Sequence, residues 1–242
     1  MADRRYKRKR RGALPAFIVF VFLLLLIAAA ALVFLKVETI EVQGEAKYTE
    51  KELIEVAGVK RGSSMLLIRG GSIEEKLCSH FTYINSVTVE KKLPSTIRLI
   101  VNESVPAAYL AFQGERWILD GSCRVLEPYD GQKLIELRGI TPTALSQGKR
   151  METEETVKLE NVSMVLTAMI AHGITEDVTW LDVSNVGAIK FDYLRRFTVD
   201  VGSGESADYK LIKLLKVVEK LEDDERGSID VSRDGESLFV PL

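Results

Sequence analysis

Cysteine and histidine are nearly absent from these 242 residues, with two of each. Two cysteines, Cys78 and Cys123, make no disulfide framework, and Cys78 is expected as a buried helix residue. His80 and His172 stand in no metal-ligand spacing, and there is no HExxH, no CxxC and no P-loop. The serines lack a G-x-S-x-G elbow, and Gly202-Ser203-Gly204 reads as a loop before a helix. The histidines read as helix-closing residues, where a cation has a structural reason to sit. Asp223-Asp224-Glu225 reads as a solvated helix end. These absences point away from an enzyme: no catalytic residue, metal site, cofactor or small-molecule substrate is expected. Acid–base work on a glycan would need two carboxylates held across a cleft, which the sequence does not place.

What the chain does have is one long apolar run, Ala13 to Leu35, 23 residues without a charge. At about 1.5 Å per residue a helix of that length covers a hydrocarbon core of about 30 Å. Seven basic residues precede it (Arg4, Arg5, Lys7, Arg8, Lys9, Arg10, Arg11) against one acid, Asp3, whereas Lys36 is followed at once by Glu38 and Glu41. The positive-inside rule then places the N-terminus in the cytoplasm and the large C-terminal part outside. The expected division is a basic tail over 1–12, a transmembrane helix over 13–35 and about 206 residues beyond. Setting aside the tail and Lys36 from totals of 33 basic and 35 acidic residues leaves 25 and 34, a net of −9. An acidic ectodomain argues against nucleic acid as a partner. The competing reading of the run is a cleaved signal peptide, with Ala28–Ala31 as the small-residue site. The run exceeds an ordinary signal core of about 7–15 residues and continues past those alanines. A buried core helix would show a polar face, and this run has none.

Beyond the run, Val37 to Val42 alternates apolar and charged residues, the period of a half-buried strand. Thr49 and Glu52 stand at capping-box spacing before a helix over Glu50 to Ala57 that stops at Gly58. Lys60 to Ser64 reads as a turn and Met65-Leu66-Leu67-Ile68 as a short apolar plug. Ser72 with Glu75 reads as a second capping box, opening a helix to about His80. Two alternating strands, Ser86 to Lys92 and Thr96 to Asn102, are joined around Leu93-Pro94-Ser95. Lys91-Lys92 reads as a solvated turn. The order β-α-α-β-β makes a compact α+β module burying Val42, Leu53, Leu77, Val87, Val89, Ile97 and Leu99. Further on, a helix from about Glu154 to Ala171 is expected with Val157, Val162, Val165, Leu166 and Met169 on one side, ending at His172-Gly173. Strands follow over Val178–Val183, Ala188–Phe191 and Phe197–Val201. The helix Tyr209–Leu221 then leads to Gly227–Ser232 and a closing Leu238-Phe239-Val240-Pro241.

This order, with "VTVEKKLPSTIRLIVNESVPAA" as the hairpin, resembles a POTRA domain, and more narrowly the one of the FtsQ/DivIB cell-division family. Leu93-Pro94-Ser95-Thr96 and Glu103-Ser104-Val105-Pro106-Ala107-Ala108 match that family's Leu-Pro-x-Thr and E-x-x-P-x-A segments. Trp117-Ile118-Leu119-Asp120 with Val125-Leu126 resembles its "lvD..G.v", although the glycine of that segment falls on Cys123 here and Gly121 is left to take the turn. Gly227-Ser228-Ile229-Asp230-Val231-Ser232 resembles its "G-x-I-D-v-s" strand. The resemblance covers the apolar run, a POTRA domain over 37–105 and a second, mixed α/β domain over 106–242 with a β-sheet and two helices.

The resemblance implies a bitopic scaffold of the bacterial divisome that binds other division proteins outside the cytoplasm and helps coordinate septal peptidoglycan synthesis. It implies that the last strand receives small bitopic partners of the FtsB/DivIC-like and FtsL-like kinds. That strand maps to Ser232 through Pro241, with Ser232, Arg233, Gly235, Ser237, Leu238, Phe239, Val240 and Pro241 as candidate contacts. Leu238 and Phe239 could instead pack back on the core. The implied location is the cell membrane at the division septum, N-terminus inside. Two other readings stay open: an anchored POTRA-type chaperone or secretion component, and an anchored cell-wall hydrolase or sensor.

Overall fold

The computed structural model describes residues 13–44, 47–233, 235 and 237–242; the basic tail lies outside them. Helix α1, Ala13–Phe34, takes up the apolar run. Its described side chains from Phe17 to Ile27 are all apolar and all exposed. Fifteen of its side chains are described, and counted on described residues alone no helix is long and apolar enough to cross a membrane.

By contact the chain divides into two compact units, one running to Gly44 with Tyr48–Lys76 and Val87–Val101, the other holding Leu77–Ser86 and Asn102–Leu242. The first elements after α1 are β1 (Thr39–Gln43), α2 (Glu50–Ala57), α3 (Gly70–His80), β2 (Ile84–Lys92) and β3 (Thr96–Glu103). They form the expected β-α-α-β-β order, and the sheet runs β1-β3-β2. β1 lies parallel to β3, Thr39 opposite Thr96 and Gln43 opposite Ile100. The capping box forms: Thr49 N–H donates to Glu52 Oε2 at 2.8 Å, and the Thr49 side chain caps Glu52 N–H. The Thr49 hydroxyl also donates to Glu52 Oε2 at 2.7 Å, and this bond, with the Thr49 N–H second, holds the Glu52 carboxyl below the ordinary range. Gly58 ends α2 in the left-handed region at φ +70, where a side chain would be strained.

Of the expected core, Leu53, Leu77, Val87, Ile97 and Leu99 are buried, while Val42 and Val89 are half-buried. Three local expectations need correction. α3 starts at Gly70, so Ser72 and Glu75 lie inside the helix; the close approach of Gly70 to Val89, where a Cβ would sit 3.3 Å away, shows why a glycine opens it. Cys78 is half-buried, its thiol donating to Asn85 O at 3.5 Å, and Cys123 is fully buried. Of the supposed plug only Met65 is buried; Leu66 and Leu67 face solvent.

The remaining strands are β4 (Pro106–Phe112), β5 (Glu115–Asp120), β6 (Val125–Pro128), β7 (Ile135–Arg138), β8 (Trp180–Asp182), β9 (Ile189–Tyr193), β10 (Phe197–Gly202), β11 (Gly227–Asp230) and β12 (Leu238–Pro241). They form one nine-stranded mixed sheet in the order β12-β11-β10-β9-β8-β7-β4-β5-β6. Two helices, α4 (Thr156–Ala171) and α5 (Ala207–Val218), close its core. Leu159, Val162, Val165, Leu166 and Met169 of α4 and Leu211 and Leu214 of α5 join Leu137, Leu181, Phe191, Phe197, Val199 and Ile229 from the strands in that core. Val157, expected among them, is exposed, and Leu159 takes the inward place. The turn after β5 resolves the displaced glycine: Cys123 itself adopts φ +63. Asp120, buried below it, holds the turn by accepting from Ser122 N–H at 2.8 Å, Arg124 N–H at 2.9 Å and Ser104 Oγ–H at 2.6 Å.

Candidate functional site

A sheet's two edges are where it meets partners, because each exposes a row of unpaired backbone groups. In the nine-stranded sheet the two edges are not alike. At the start of β6 and the turn before it, the segment Gly148–Met151 is bonded to the chain: Val125 N–H donates to Lys149 O at 2.9 Å, Gly148 N–H to Val125 O at 2.8 Å and Met151 N–H to Cys123 O at 2.9 Å. At the opposite edge, among the described residues, β12 is paired only on its inner side, antiparallel to β11, with Asp230 opposite Leu238, Ile229 opposite Phe239, Ser228 opposite Val240 and Gly227 opposite Pro241. Its end is fixed by Leu242 N–H donating to Arg226 O at 2.9 Å.

The alternation of β12 sorts its side chains. Phe239 turns inward, half-buried, its ring edge-on to Phe197 with centroids 6.0 Å apart. Leu238 and Val240 turn outward, 60% and 49% exposed. Gly227 lets the strand sit: a Cβ there would fall 2.1 Å from Val240 O and 2.9 Å from the Phe239 ring. On the outward face, Leu238 and Val240 border a groove of about 260 Å³ with Lys190, Thr198, Asp200, Ser228, Ile229 and Asp230. Lys190 and Asp200 lie 3.8 Å apart across it. The Ser232 hydroxyl bonded to Asp230, with the Ser232 N–H at 2.8 Å, holds that carboxyl below its ordinary value against the opposing effect of burial. The site is thus an apolar strand edge over a polar, negatively biased floor.

The other candidate residues lie in the turn that delivers the strand, not in the strand itself. Ser232 caps Asp230, exposed Arg233 gives its carbonyl to Lys213 Nζ at 2.6 Å, Gly235 takes φ +113, and Ser237 is half-buried. Lys213, on α5 and nearly buried, therefore pins the approach to β12. Neither Lys213 nor the groove floor stands among the residues expected from sequence. The floor had a signal in the alternation Lys190-Phe191, Thr198-Val199-Asp200 and Ser228-Ile229-Asp230; Lys213 had none.

Elsewhere a hollow of about 460 Å³ opens between α4 and α5, walled by Ser163, Met164, Thr167, Ala171, Gly204 and Ala207. At its rim His172 Nε2 lies 2.8 Å from Asp208 Oδ1, an ordinary helix-end pairing. Among the described residues no group of three His, Cys, Asp or Glu side chains could hold a metal ion.

An apolar helix, a β-α-α-β-β module with a three-stranded sheet and a nine-stranded mixed sheet flanked by two helices make an α+β protein whose second sheet ends, among the described residues, at β12. Residues 35–104 match the family model described as the POTRA domain, FtsQ-type. The chain is 24% identical over 246 aligned residues to the cell division protein DivIB of Clostridium botulinum strain Hall, covering 97% of this chain and 94% of that one. It is 26% identical over 214 residues to DivIB of Clostridium acetobutylicum, covering 85% and 83%. Over 99 residues it is 31% identical to the cell division protein FtsQ of Geotalea daltonii, covering 41% of this chain and 35% of that one. The chain carries an FtsQ-type POTRA domain and is, over most of its length, a relative of the FtsQ/DivIB cell-division proteins.

Proposed function

We propose that the protein is a non-enzymatic, single-pass scaffold of the division machinery whose β12 edge receives a strand from a partner. Its cell-division relatives support the divisome role. The observation that carries the site is the unlike pair of edges: the start of β6 is already bonded to Gly148–Met151 of its own chain, while β12 presents Leu238 and Val240 outward. A strand added there would extend the sheet and set an apolar side chain into the groove. β12 is only four residues long and carries Pro241, which has no N–H. Both features limit indiscriminate pairing and favour one short partner segment.

In this reading α1 is the membrane anchor. Its described side chains from Phe17 to Ile27 are apolar and exposed, an arrangement costly in water and favourable in lipid. The positive flank places the N-terminus inside, the POTRA domain over 37–105 and the second domain over 106–242 outside, at the septum. The partners proposed are the small bitopic division proteins of the FtsB/DivIC-like and FtsL-like kinds. Binding, rather than chemistry, is how the protein helps coordinate septal wall synthesis.

The test is co-purification of the full-length protein from its own membranes, compared with Leu238→Glu/Val240→Glu. Covering what remains exposed of the two side chains is worth about 1 kcal/mol each, so the double change weakens capture by roughly thirtyfold or more. Circular dichroism should be unaltered, since both residues face outward. Undiminished capture of the bitopic proteins would move the site off β12, and capture of unfolded polypeptides instead would favour a chaperone.

A further inference from the structure

The end of the POTRA module that joins α1 carries an apolar and basic surface that the β12 site does not use. The chain leaving α1 is stitched to the loop between α2 and α3. Met65 N–H donates to Leu35 O at 2.9 Å, Val37 N–H to Ser63 O at 2.9 Å and Gly62 N–H to Val37 O at 2.7 Å, with Lys36 bridged to Ser64. The turn between β2 and β3 is held at the same end, because Glu38 N–H donates to Ser95 O at 2.8 Å. Two loops therefore flank the foot of the apolar helix.

Both loops expose leucine. Leu66 is 50% exposed, Leu67 74% and Leu93 68%, while Met65 between them is wholly buried and fixes the loop. The segments that carry and adjoin them hold six exposed cations, Lys36, Lys60, Arg61, Arg69, Lys91 and Lys92, against the exposed acids Glu38 and Glu90. Large apolar side chains ringed by lysine and arginine at the mouth of a membrane helix form the pattern that enters a lipid interface, leucines into the acyl boundary and cations among anionic headgroups. The module's own core has not taken these leucines.

We propose that this end of the POTRA module is a membrane-contact surface: Leu66, Leu67 and Leu93 dip into the outer leaflet while the surrounding cations bind anionic lipid. The module would then be seated on the bilayer at a fixed height instead of swinging from a tether. The proposal rests on the reading of α1 as a membrane anchor, and the test separates the two.

The full-length protein is reconstituted in vesicles of phosphatidylcholine and phosphatidylglycerol carrying nitroxide-labelled lipid. A bimane is attached in turn through Leu24→Cys, Leu67→Cys, Leu93→Cys and Val105→Cys, each in a Cys78→Ser background; Cys123 is buried and does not compete. Val105 is an exposed apolar control two residues beyond the far end of β3, about 25 Å of strand away from Thr96. Expected is strong lipid quenching at 24, 67 and 93 and none at 105. Quenching at 24 with none at 67 and 93 overturns the contact surface and leaves the anchor standing. Absence of quenching at 24 overturns the anchor and the contact surface together.

Discussion

Replacing Gly227 by alanine isolates the last strand from the rest of the sheet. The added Cβ would lie 2.1 Å from Val240 O and 3.0 Å from Pro241 Cα, backbone atoms that no side-chain rotation can clear. An ordinary contact needs about 1 Å more, so β12 must shift or leave. Four ladder pairs at about 1 kcal/mol each hold it, with about 2 kcal/mol from the partial burial of Phe239 against Phe197. Ordering four residues costs about 1 kcal/mol each or slightly more. The balance is roughly 1–2 kcal/mol, less than a backbone clash of that size demands. In Gly227→Ala the amide hydrogen of Leu242, which donates to Arg226 O, should exchange about tenfold faster or more. The core amides of β9 and β10 should stay protected and the melting temperature fall by only a few degrees. Unchanged exchange at Leu242 would refute the seating described. Collapse of the whole domain would show that β12 is a core strand and not a separable edge.

Other perturbations probe the turn at Cys123. Asp120→Ala removes the acceptor for Ser104, Ser122 and Arg124 and leaves a buried hydroxyl unpaired, and should cost about 3 kcal/mol in urea unfolding. Asp120→Asn, which keeps one oxygen, should cost less. Burial pushes the Cys123 thiol up to about 12 from 9.0, with Arg150 opposing and nearby Asp120 adding. The folded state therefore holds its proton longer than the unfolded one, and stability is lost as pH rises from about 9 toward 12. The loss is about 1.4 kcal/mol per pH unit, and Cys123→Ala should lack that slope relative to wild type. The same thiol should resist alkylation at pH 8 until the chain is unfolded.

Much of this architecture could be read from local pattern. The Thr49–Glu52 cap, the stop at Gly58, the alternating pair around Leu93-Pro94-Ser95 and the long helix ending before Gly173 are local devices, and each formed at its place. What stayed hidden depends on neighbours distant in sequence. Period two assigns Leu238 and Phe239 to opposite faces, but only the pairing of Ile229 with Phe239 decides which one enters the core. Met65-Leu66-Leu67-Ile68 looks the same in sequence whether it fills a core or faces outward, and Leu66 and Leu67 proved exposed. Gly227 reads as the first residue of a strand, but why a glycine stands there shows only once β12 is seen paired against it. A glycine missing at position 123 did not move the turn to Gly121, because the three hydrogen bonds to Asp120 hold the backbone in place and Cys123 takes the left-handed conformation.

The most direct measurement is photocrosslinking in living cells with benzoylphenylalanine placed in the full-length protein at Val240 and, separately, at Met164 in the hollow between α4 and α5. Partner addition at the open edge predicts adducts with small bitopic division proteins at Val240, abolished by Gly227→Ala, and none at Met164. Adducts at Met164 alone would contradict the account and place the docking surface on the helices.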